Sequence, residues 1–396
     1  MTAVSSVSSA DEPTVVLAQE AVKRPRLVGL DGIRGVAALC VMLHHCWLLA
    51  FPGYPATHGP WYLAWLIYGH LAVVVFITLS GFSLGVAPAR REWQLGGAGR
   101  FAHRRAWRIL PPYWAALVFS LIVAWTIVPQ PDTPVPTGKS VVIFGLLLQD
   151  VFGSPSPNGA FWSIAIEAQL YIVFPILLVI LRRAGAIVLL TAVTVVVATI
   201  GVLAPHVSVV DMFMRFTPEF AVLFTLGLIA AGVLRASDRV FRLPYHWLAL
   251  AAAAPVIALM SIEGSVWTIT HYFWIDLAFG PAVALLLAAV ATGRPRPAVR
   301  FLDTRPLRSL GSFSYSLYLT HAPIVVAIHA KLISGRVAPG VATFWALFAV
   351  AAPVSVAFAW SFSRFFELPF QRYRNWSALR AGLRRSPAPA AAPETA

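Results

Sequence analysis

Three ionisable side chains lie deep inside strongly apolar stretches of this sequence: His45, Glu167 and His321. Burying such groups among apolar residues costs free energy, so each of them invites a functional explanation. A histidine can act as a general base, and a carboxylate within hydrogen-bonding distance would orient the imidazole and stabilise its cationic form. The residues therefore point to acid–base chemistry. A purely structural hydrogen bond between helices is the alternative at this stage.

The spacing along a helix gives the depth of these groups. At 1.5 Å per residue, His45 lies about 18 Å from the start of its apolar run, and Glu167 about 21 Å from the far end of its own run. If the two runs are antiparallel, both side chains lie at a similar height, whereas His321 lies about 13 Å from the same side. The adjacent His44 points about 100° away around the helix, so the two histidines make a poor metal site, and no metal is predicted.

A basic cluster precedes the third apolar run, and it contains Arg104, Arg105 and Arg108. On a helix these three side chains share one side, because residues three and four apart are neighbours. Guanidinium groups arranged in this way bind phosphates well. The phosphates of anionic lipid headgroups are an equally good interpretation. Arg34, with Asp31 three residues before it, lies about one turn inside the first run, at the same end of the molecule.

The composition indicates the elements that must position these residues. The chain has 396 residues, of which 59% are hydrophobic and 12% charged, with a mean hydropathy of +0.75. Soluble domains carry about 25% charged residues, so a disordered chain and an ordinary soluble enzyme are excluded. The sequence predicts an all-α, polytopic membrane bundle of about ten transmembrane helices. The apolar runs lie near 33–51, 65–87, 109–128, 162–181, 186–204, 217–234, 245–261, 272–292, 312–333 and 341–362.

Charge predicts the orientation of this bundle. If the first run begins in the cytoplasm, 26 of the 30 Lys and Arg residues fall in cytoplasmic segments. Such a bias follows the positive-inside rule and predicts that both termini are cytoplasmic. It also accounts for the net charge of +14 without a nucleic-acid partner. We divide the chain into a disordered cytoplasmic segment 1–25, a transmembrane domain 26–375, and a flexible Ala- and Pro-rich cytoplasmic tail 376–396.

Six motifs follow one another in the order of the predicted spans. They are Arg34-x-x-Ala37 with Val41 and His45, Gly69–His70 with Ser80–Gly81–Phe82, Arg105-x-x-Arg108, Trp162–Ser163 with Glu167 and Tyr171, Ser314–Tyr315 with Tyr318 and His321, and Glu367-x-Pro369–Phe370. Together they resemble the membrane acyltransferase 3 family, whose members O-acylate sugars and natural products. The resemblance extends over about residues 27–370.

The resemblance implies a reaction and a set of site residues. The donor is an acyl-CoA, by default acetyl-CoA, that enters from the cytoplasm as a co-substrate, with no permanently bound cofactor. The acceptor is a hydroxyl group of a sugar, glycan or natural product. His45 is the implied general base, and Glu167 would fix its tautomer if the two residues are close. The donor-binding residues are Arg34, Arg104, Arg105 and Arg108. The substrate-pocket residues are Trp162, Ser163, Tyr171, Ser314, Tyr315, Tyr318 and His321.

Several alternatives stay open at the level of sequence. An acyl-His45 intermediate would replace direct transfer. A multi-pass transporter or flippase would share the buried ionisable residues and basic inner loops, although we find no internal repeat. A structural subunit would make the motif residues dispensable. Loop 129–160, rich in Pro, Gly and Ser, is expected to cap the acceptor site. We also expect the chain to act alone in the cell membrane, because it ends soon after the last span.

Overall fold

A computed structural model describes residues 27–57, 59–373 and 375–384. These residues form α-helices and short 3₁₀ and π segments without a β-strand, which confirms the predicted all-α class. The helices are α1 Leu30–Ala50, α2 His70–Ala89, α3 Ala98–Thr126, α4 Gly138–Gly145, α5 Trp162–Leu203, α6 Ser208–Asp211, α7 Glu219–Ala230, α8 Asp238–Phe241, α9 Tyr245–Thr270, α10 Tyr272–Ala291, α11 Arg296–Leu302, α12 Arg305–Ser312, α13 Ser314–Ile328, α14 Val341–Phe362, α15 Leu368–Arg372 and α16 Trp376–Arg384.

The ten predicted runs all lie on helices, and two of them share one continuous helix. Among the described residues, eight helices are long and apolar enough to cross a membrane, and a ninth span arises if the pair Ser208–Phe216 and Glu219–Arg235, bent by 46°, is counted as one. The fourth and fifth predicted runs both lie in α5, which has 42 residues. Gly185 interrupts α5 with φ 87° and ψ 172°, a backbone conformation open to glycine, so the two runs meet there without a loop.

Glycines set the closest helix contacts in the bundle. A Cβ atom added to Gly227 of α7 would lie 1.9 Å from the carbonyl oxygen of Thr78, and one added to Gly81 of α2 would lie 2.0 Å from that of Phe224. Only a residue without a side chain permits such an approach, which is the usual device for joining helices in a membrane. The contact fixes α2, and with it Ser80, in the centre of the bundle.

A second glycine contact fixes the helix that carries Arg34 and His45. A Cβ atom on Gly311 at the end of α12 would lie 1.8 Å from the carbonyl oxygen of Asp31 in α1. The chain runs from α12 directly into α13, which carries His321. Helices α1 and α13 are therefore neighbours although they are far apart in the sequence.

The predicted terminal segments are only partly described. Segment 1–25 and the end of the tail, 385–396, lie outside the described residues. Within the predicted tail 376–396, residues Trp376–Arg384 form helix α16. The ring of Trp376 meets that of Trp107 edge to face, with centroids 5.0 Å apart. This contact joins α16 to the N-terminal part of α3, near the basic cluster.

Candidate active site

A cavity of about 340 Å³ lies between α1, α2, α3, α5 and α13. Sequence reasoning found nine of its lining residues from their positions in separate motifs. These are Arg34, Arg105, Arg108, Ser163, Glu167, Tyr171, Ser314, Tyr315 and Tyr318. The structure thus brings residues of four predicted motifs to one place. We call this space the arginine cavity.

The lining of the arginine cavity contains as many carboxylates, Asp31, Glu167 and Glu367, as arginines. Arg34 is paired, since it donates to Asp31 at 2.8 Å and to the hydroxyl of Ser83 at 2.7 Å. Arg105 and Arg108 also line the cavity, and neither forms an ion pair with a described residue. Free guanidinium groups in a partly enclosed cavity favour phosphate ligands.

The structure does not place Arg104 in the cavity. Its side chain is exposed, and it is absent from the cavity lining. Sequence reasoning grouped Arg104 with Arg105 and Arg108, because all three project from one side of an isolated helix. Only Arg105 and Arg108 project between the neighbouring helices. The donor-binding role predicted for Arg104 therefore has no geometric support.

Glu167 belongs to a hydrogen-bonded cluster on the cavity wall. It accepts hydrogen bonds from the hydroxyl of Ser80 at 2.7 Å and from the hydroxyl of Tyr171. The hydroxyl oxygens of Ser80 and Tyr171 are themselves 2.9 Å apart. Sequence reasoning quoted Ser80 in a motif but did not assign it to the site. The Ser-Gly-Phe signal could have identified it, because a hydroxyl at membrane depth requires a partner.

His45 and His321 form a second centre, separate from the arginine cavity. Nδ1 of His45 lies 2.9 Å from the carbonyl oxygen of Val41 and 3.3 Å from Nε2 of His321. Nδ1 of His321 lies 3.0 Å from the carbonyl oxygen of Leu317 and 2.9 Å from that of Tyr318. Carbonyl oxygens only accept hydrogen bonds, so both imidazoles carry their proton on Nδ1.

This tautomer gives the two histidines different roles in the pair. Nε2 of His321 has a lone pair that accepts from Nδ1 of His45, whose proton is shared with the carbonyl of Val41. No described residue forms a hydrogen bond with Nε2 of His45, so its lone pair is available. His321 is fully buried, whereas His45 is only partly buried. The available basic atom of the pair is Nε2 of His45.

The structure does not bring Glu167 into hydrogen-bonding contact with His45, which was the condition for its role in fixing the tautomer. Nδ1 of His45 is satisfied by Val41 and His321, and Glu167 is bonded to Ser80 and Tyr171. The two residues project toward different parts of the bundle. Depth along the helix axis did not reveal this, because it carries no information on rotation about that axis.

Tyr318 and Ser163 separate the two centres. Their hydroxyl oxygens are 2.6 Å apart, and both residues line the arginine cavity. The ring of Tyr318 lies 5.9 Å from that of His321, with Phe76 edge to face at 5.6 Å on the cavity side. His45 and His321 do not line the cavity. Tyr318 therefore lines the cavity and also packs near His321.

Trp162 lies outside the cavity, beside a buried ion pair that sequence reasoning missed. Nε2 of His70 lies 2.6 Å from the fully buried carboxylate of Asp276. The rings of Trp162 and Tyr272 stack on that of His70, at 5.8 Å and 4.2 Å. His70 was quoted in a motif, but its partner is 206 residues away. Trp162 is thus part of the wall around this pair and does not line the arginine cavity.

Glu367, from the last motif, lines the cavity and is bonded to Ser316 of α13. It accepts from the backbone N–H of Ser316 at 3.2 Å, from the hydroxyl of Ser316 at 2.5 Å, and from the amide of Gln371 at 2.7 Å. This buried carboxylate is fully engaged in holding the start of α13. It was quoted for the resemblance without a site role, and the motif Glu-x-Pro-Phe was the available signal.

Loop 129–160 reaches the side of His45 that carries Nε2. A Cβ atom added to Gly159 would lie 3.9 Å from Nε2 of His45. Asn158, which is fully buried, donates to the carbonyl oxygen of Leu319 at 2.9 Å. The loop is therefore tied to α13, two residues before His321.

Comparison with known proteins supports the resemblance seen in the motifs. A family model described as an acyltransferase domain matches residues 27–364. The O-acetyltransferase OatA of Staphylococcus aureus (strain NCTC 8325 / PS 47) is 23% identical over 338 residues, which cover 78% of this chain and 52% of the relative. The peptidoglycan O-acetyltransferase OatA of Listeria monocytogenes is 23% identical over 331 residues, covering 76% and 50%.

A third relative is YrhL of Bacillus subtilis (strain 168), named provisionally as a peptidoglycan O-acetyltransferase. It is 26% identical over 324 residues, which cover 75% of this chain and 48% of the relative. The chain thus spans about half the length of the curated relatives it matches. No solved structure matches it. With the family model matching residues 27–364, the chain belongs to the acyltransferase 3 family of membrane acyltransferase domains.

Proposed function

We propose that this chain is an integral-membrane O-acyltransferase of the cell membrane that moves an acyl group, by default acetyl, from acyl-CoA to a hydroxyl of a glycan or glycosylated molecule. Family membership supports the reaction class. The names of the relatives, which include peptidoglycan O-acetyltransferases, support a glycan acceptor. The observation that carries the proposal is the free Nε2 atom of His45, held in its basic tautomer by Val41 and His321.

The arginine cavity is the proposed donor site. Arg105 and Arg108 face it without an ion pair to a described residue, and they would bind the phosphates of CoA. Arg34 lies eleven residues before His45 on α1, so the two are about 16 Å apart along the helix axis. An extended pantetheine arm would cross this distance, past Tyr318 and Ser163, to bring the thioester toward His45.

His45 would supply the proton transfers of the reaction. Nε2 takes the proton of the acceptor hydroxyl, and the acceptor oxygen attacks the thioester carbonyl carbon. The C–S bond breaks, and the departing CoA thiolate takes the proton back from Nε2. General-base catalysis of this kind contributes about 10²- to 10⁴-fold. His321 is a positioning residue in this scheme, since its Nε2 accepts the hydrogen bond of the His45 imidazolium.

The structure supports a different role for Glu167 from the one the sequence predicted. Glu167 orders Ser80 and Tyr171 on the wall of the arginine cavity and does not touch His45. We therefore place it in the donor cavity. Substitution of Glu167 by Gln should raise the KM for acyl-CoA more than it lowers kcat.

The test is release of free thiol from acetyl-CoA by the purified protein, with and without soluble peptidoglycan glycan strands. Wild type should release thiol in step with acetylation of the glycan, and His45→Ala should lose at least 10²-fold in kcat at an unchanged protein level. In a run without acceptor, acetyl-CoA carries a labelled acetyl group. Label that stays on the wild-type protein would favour an acyl-His45 intermediate. Normal turnover by His45→Ala would refute the mechanism. Folded wild type that neither binds nor cleaves any of several acyl-CoAs would favour transport.

A further inference from the structure

The free side of His45 faces a gap that exists because residue 159 is a glycine. A Cβ atom there would lie 3.9 Å from Nε2 of His45 and 3.6 Å from Oε1 of Gln130. A general base must come within about 2.6–3.2 Å of the oxygen whose proton it takes. The reacting hydroxyl must therefore sit close to this gap.

Gln130 forms the opposite wall of the gap and is held in one orientation. Its Oε1 accepts the backbone N–H of Gly159 at 3.3 Å, and its backbone carbonyl accepts the hydroxyl of Thr133 at 2.9 Å. The side chain is only 6% exposed. With Oε1 bonded to Gly159, the Nε2 group of the same amide forms no hydrogen bond with a described residue. Nε2 is also not fully enclosed, so its two N–H donors are available to a ligand.

The gap is rigid because Asn158 anchors the end of the loop. Its Nδ2 donates to the carbonyl oxygen of Leu319 at 2.9 Å and to the hydroxyl of Ser120 at 3.1 Å. Its Oδ1 accepts the backbone N–H of Ala160 at 3.0 Å. Gly159 thus follows Asn158, which is bonded to α3 and α13, and precedes Ala160, whose backbone N–H is bonded to the side chain of Asn158. A preorganised space of this kind is what substrate positioning requires.

We propose that Gln130 and the gap at Gly159 form the acceptor subsite, in which Nε2 of Gln130 donates hydrogen bonds to an oxygen next to the reacting hydroxyl. The inference rests on the proposed acyltransferase function and deepens it. The ligand is an alcohol that carries a second oxygen close to the one being acylated, as on a sugar ring. His45 then takes the proton of the reacting hydroxyl while Gln130 holds its neighbour.

The first test fills the gap without disturbing the fold. Gly159→Ala adds a methyl group at ordinary van der Waals distance from both walls, and Gly159 does not have a positive φ. The matched control is Gly153→Ala in the same loop, where the added Cβ meets no atom within 4 Å and φ is again not positive. With acetyl-CoA and soluble peptidoglycan glycan strands, Gly159→Ala should lower kcat/KM for the glycan by about tenfold or more. Gly153→Ala should match wild type, and both variants should keep the wild-type Tm.

The second test removes the proposed donor. Gln130→Leu should raise the KM for the glycan by about tenfold, the effect of one lost hydrogen bond, and leave the KM for acetyl-CoA unchanged. Wild-type glycan kinetics in both Gln130→Leu and Gly159→Ala, in an active enzyme, would overturn the subsite.

A binding measurement separates failure of the subsite from failure of the proposed function. Affinity for the glycan strands is titrated without acyl donor, on folded protein. If wild type transfers no acyl group but Gln130→Leu still weakens glycan binding, the subsite is supported and the chemistry is refuted. If glycan binding does not depend on Gln130, the subsite is refuted whatever the activity.

Discussion

The contact between His45 and His321 gives the sharpest test of the proposed chemistry. His321→Asn keeps a donor near the Nδ1 position, where Leu317 and Tyr318 offer carbonyl oxygens, but it removes the acceptor that faces His45. His321→Gln keeps an acceptor close to the position of Nε2. The two variants therefore separate the hydrogen bond to His45 from the packing of a polar side chain in α13.

The size of the effect follows from the geometry. The nitrogen atoms are 3.3 Å apart, which is long for a hydrogen bond, so we take the lower end of the range for bonds to a charged group, about 1.5 kcal/mol. This bond strengthens when His45 becomes an imidazolium, so its loss appears in the transition state. His321→Asn should lower kcat about tenfold, and His321→Gln should recover most of that loss.

The assay is thiol release at saturating acetyl-CoA, combined with a double-mutant cycle. In a His45→Ala background, His321→Asn should cost nothing further, because the group that it positions is absent. A tenfold loss that persists in that background would show that His321 acts independently of His45 and would refute the reasoning. A loss of Tm in proportion to the loss of kcat would likewise assign His321 a purely structural role.

Three further predictions concern packing, charge and access. Gly227→Ala should lower Tm by several degrees, because its new Cβ would lie 1.9 Å from a carbonyl oxygen of the neighbouring helix, whereas Gly99→Ala, with no atom within 4 Å, should not. Burial raises the pKa of Asp150, in loop 129–160, to about 6 from 3.8, so ionisation destabilises the fold as pH rises between about 4 and 6. Asp150→Asn should remove that part of the dependence of Tm on pH, and an unchanged profile would contradict the assignment. Tyr318→Phe breaks the 2.6 Å hydrogen bond to Ser163 and should raise kcat up to about fivefold if opening of this contact limits turnover; an equal or lower kcat would argue against that limit.

The helical class and the site inventory could be predicted from the sequence. Apolar runs of about 20 residues require helices in a membrane, since backbone groups must be satisfied within the segment. The order of the motifs identified the family, which the match over residues 27–364 confirms. Nine residues named from the motifs line one cavity.

The sequence could not show that two predicted runs share one helix. They meet at Gly185 in α5, directly after Arg182 and Arg183, without a loop between them. The 46° bend between Ser208–Phe216 and Glu219–Arg235 instead divides one apolar segment into two helical parts. Both features are backbone conformations at single junctions, to which hydropathy is insensitive.

The partners of the ionisable residues were decided by the tertiary structure. A sequence determines how far along its helix a side chain lies, at 1.5 Å per residue, and this placed His45 and Glu167 at one height. Which neighbour a side chain faces depends on how each helix is rotated, and close contacts such as the one between Gly311 and Asp31 set that rotation. His45 consequently faces His321, 276 residues away, and Glu167 faces Ser80. The residue types and depths came from the chain, and the pairing came from the packing of whole helices.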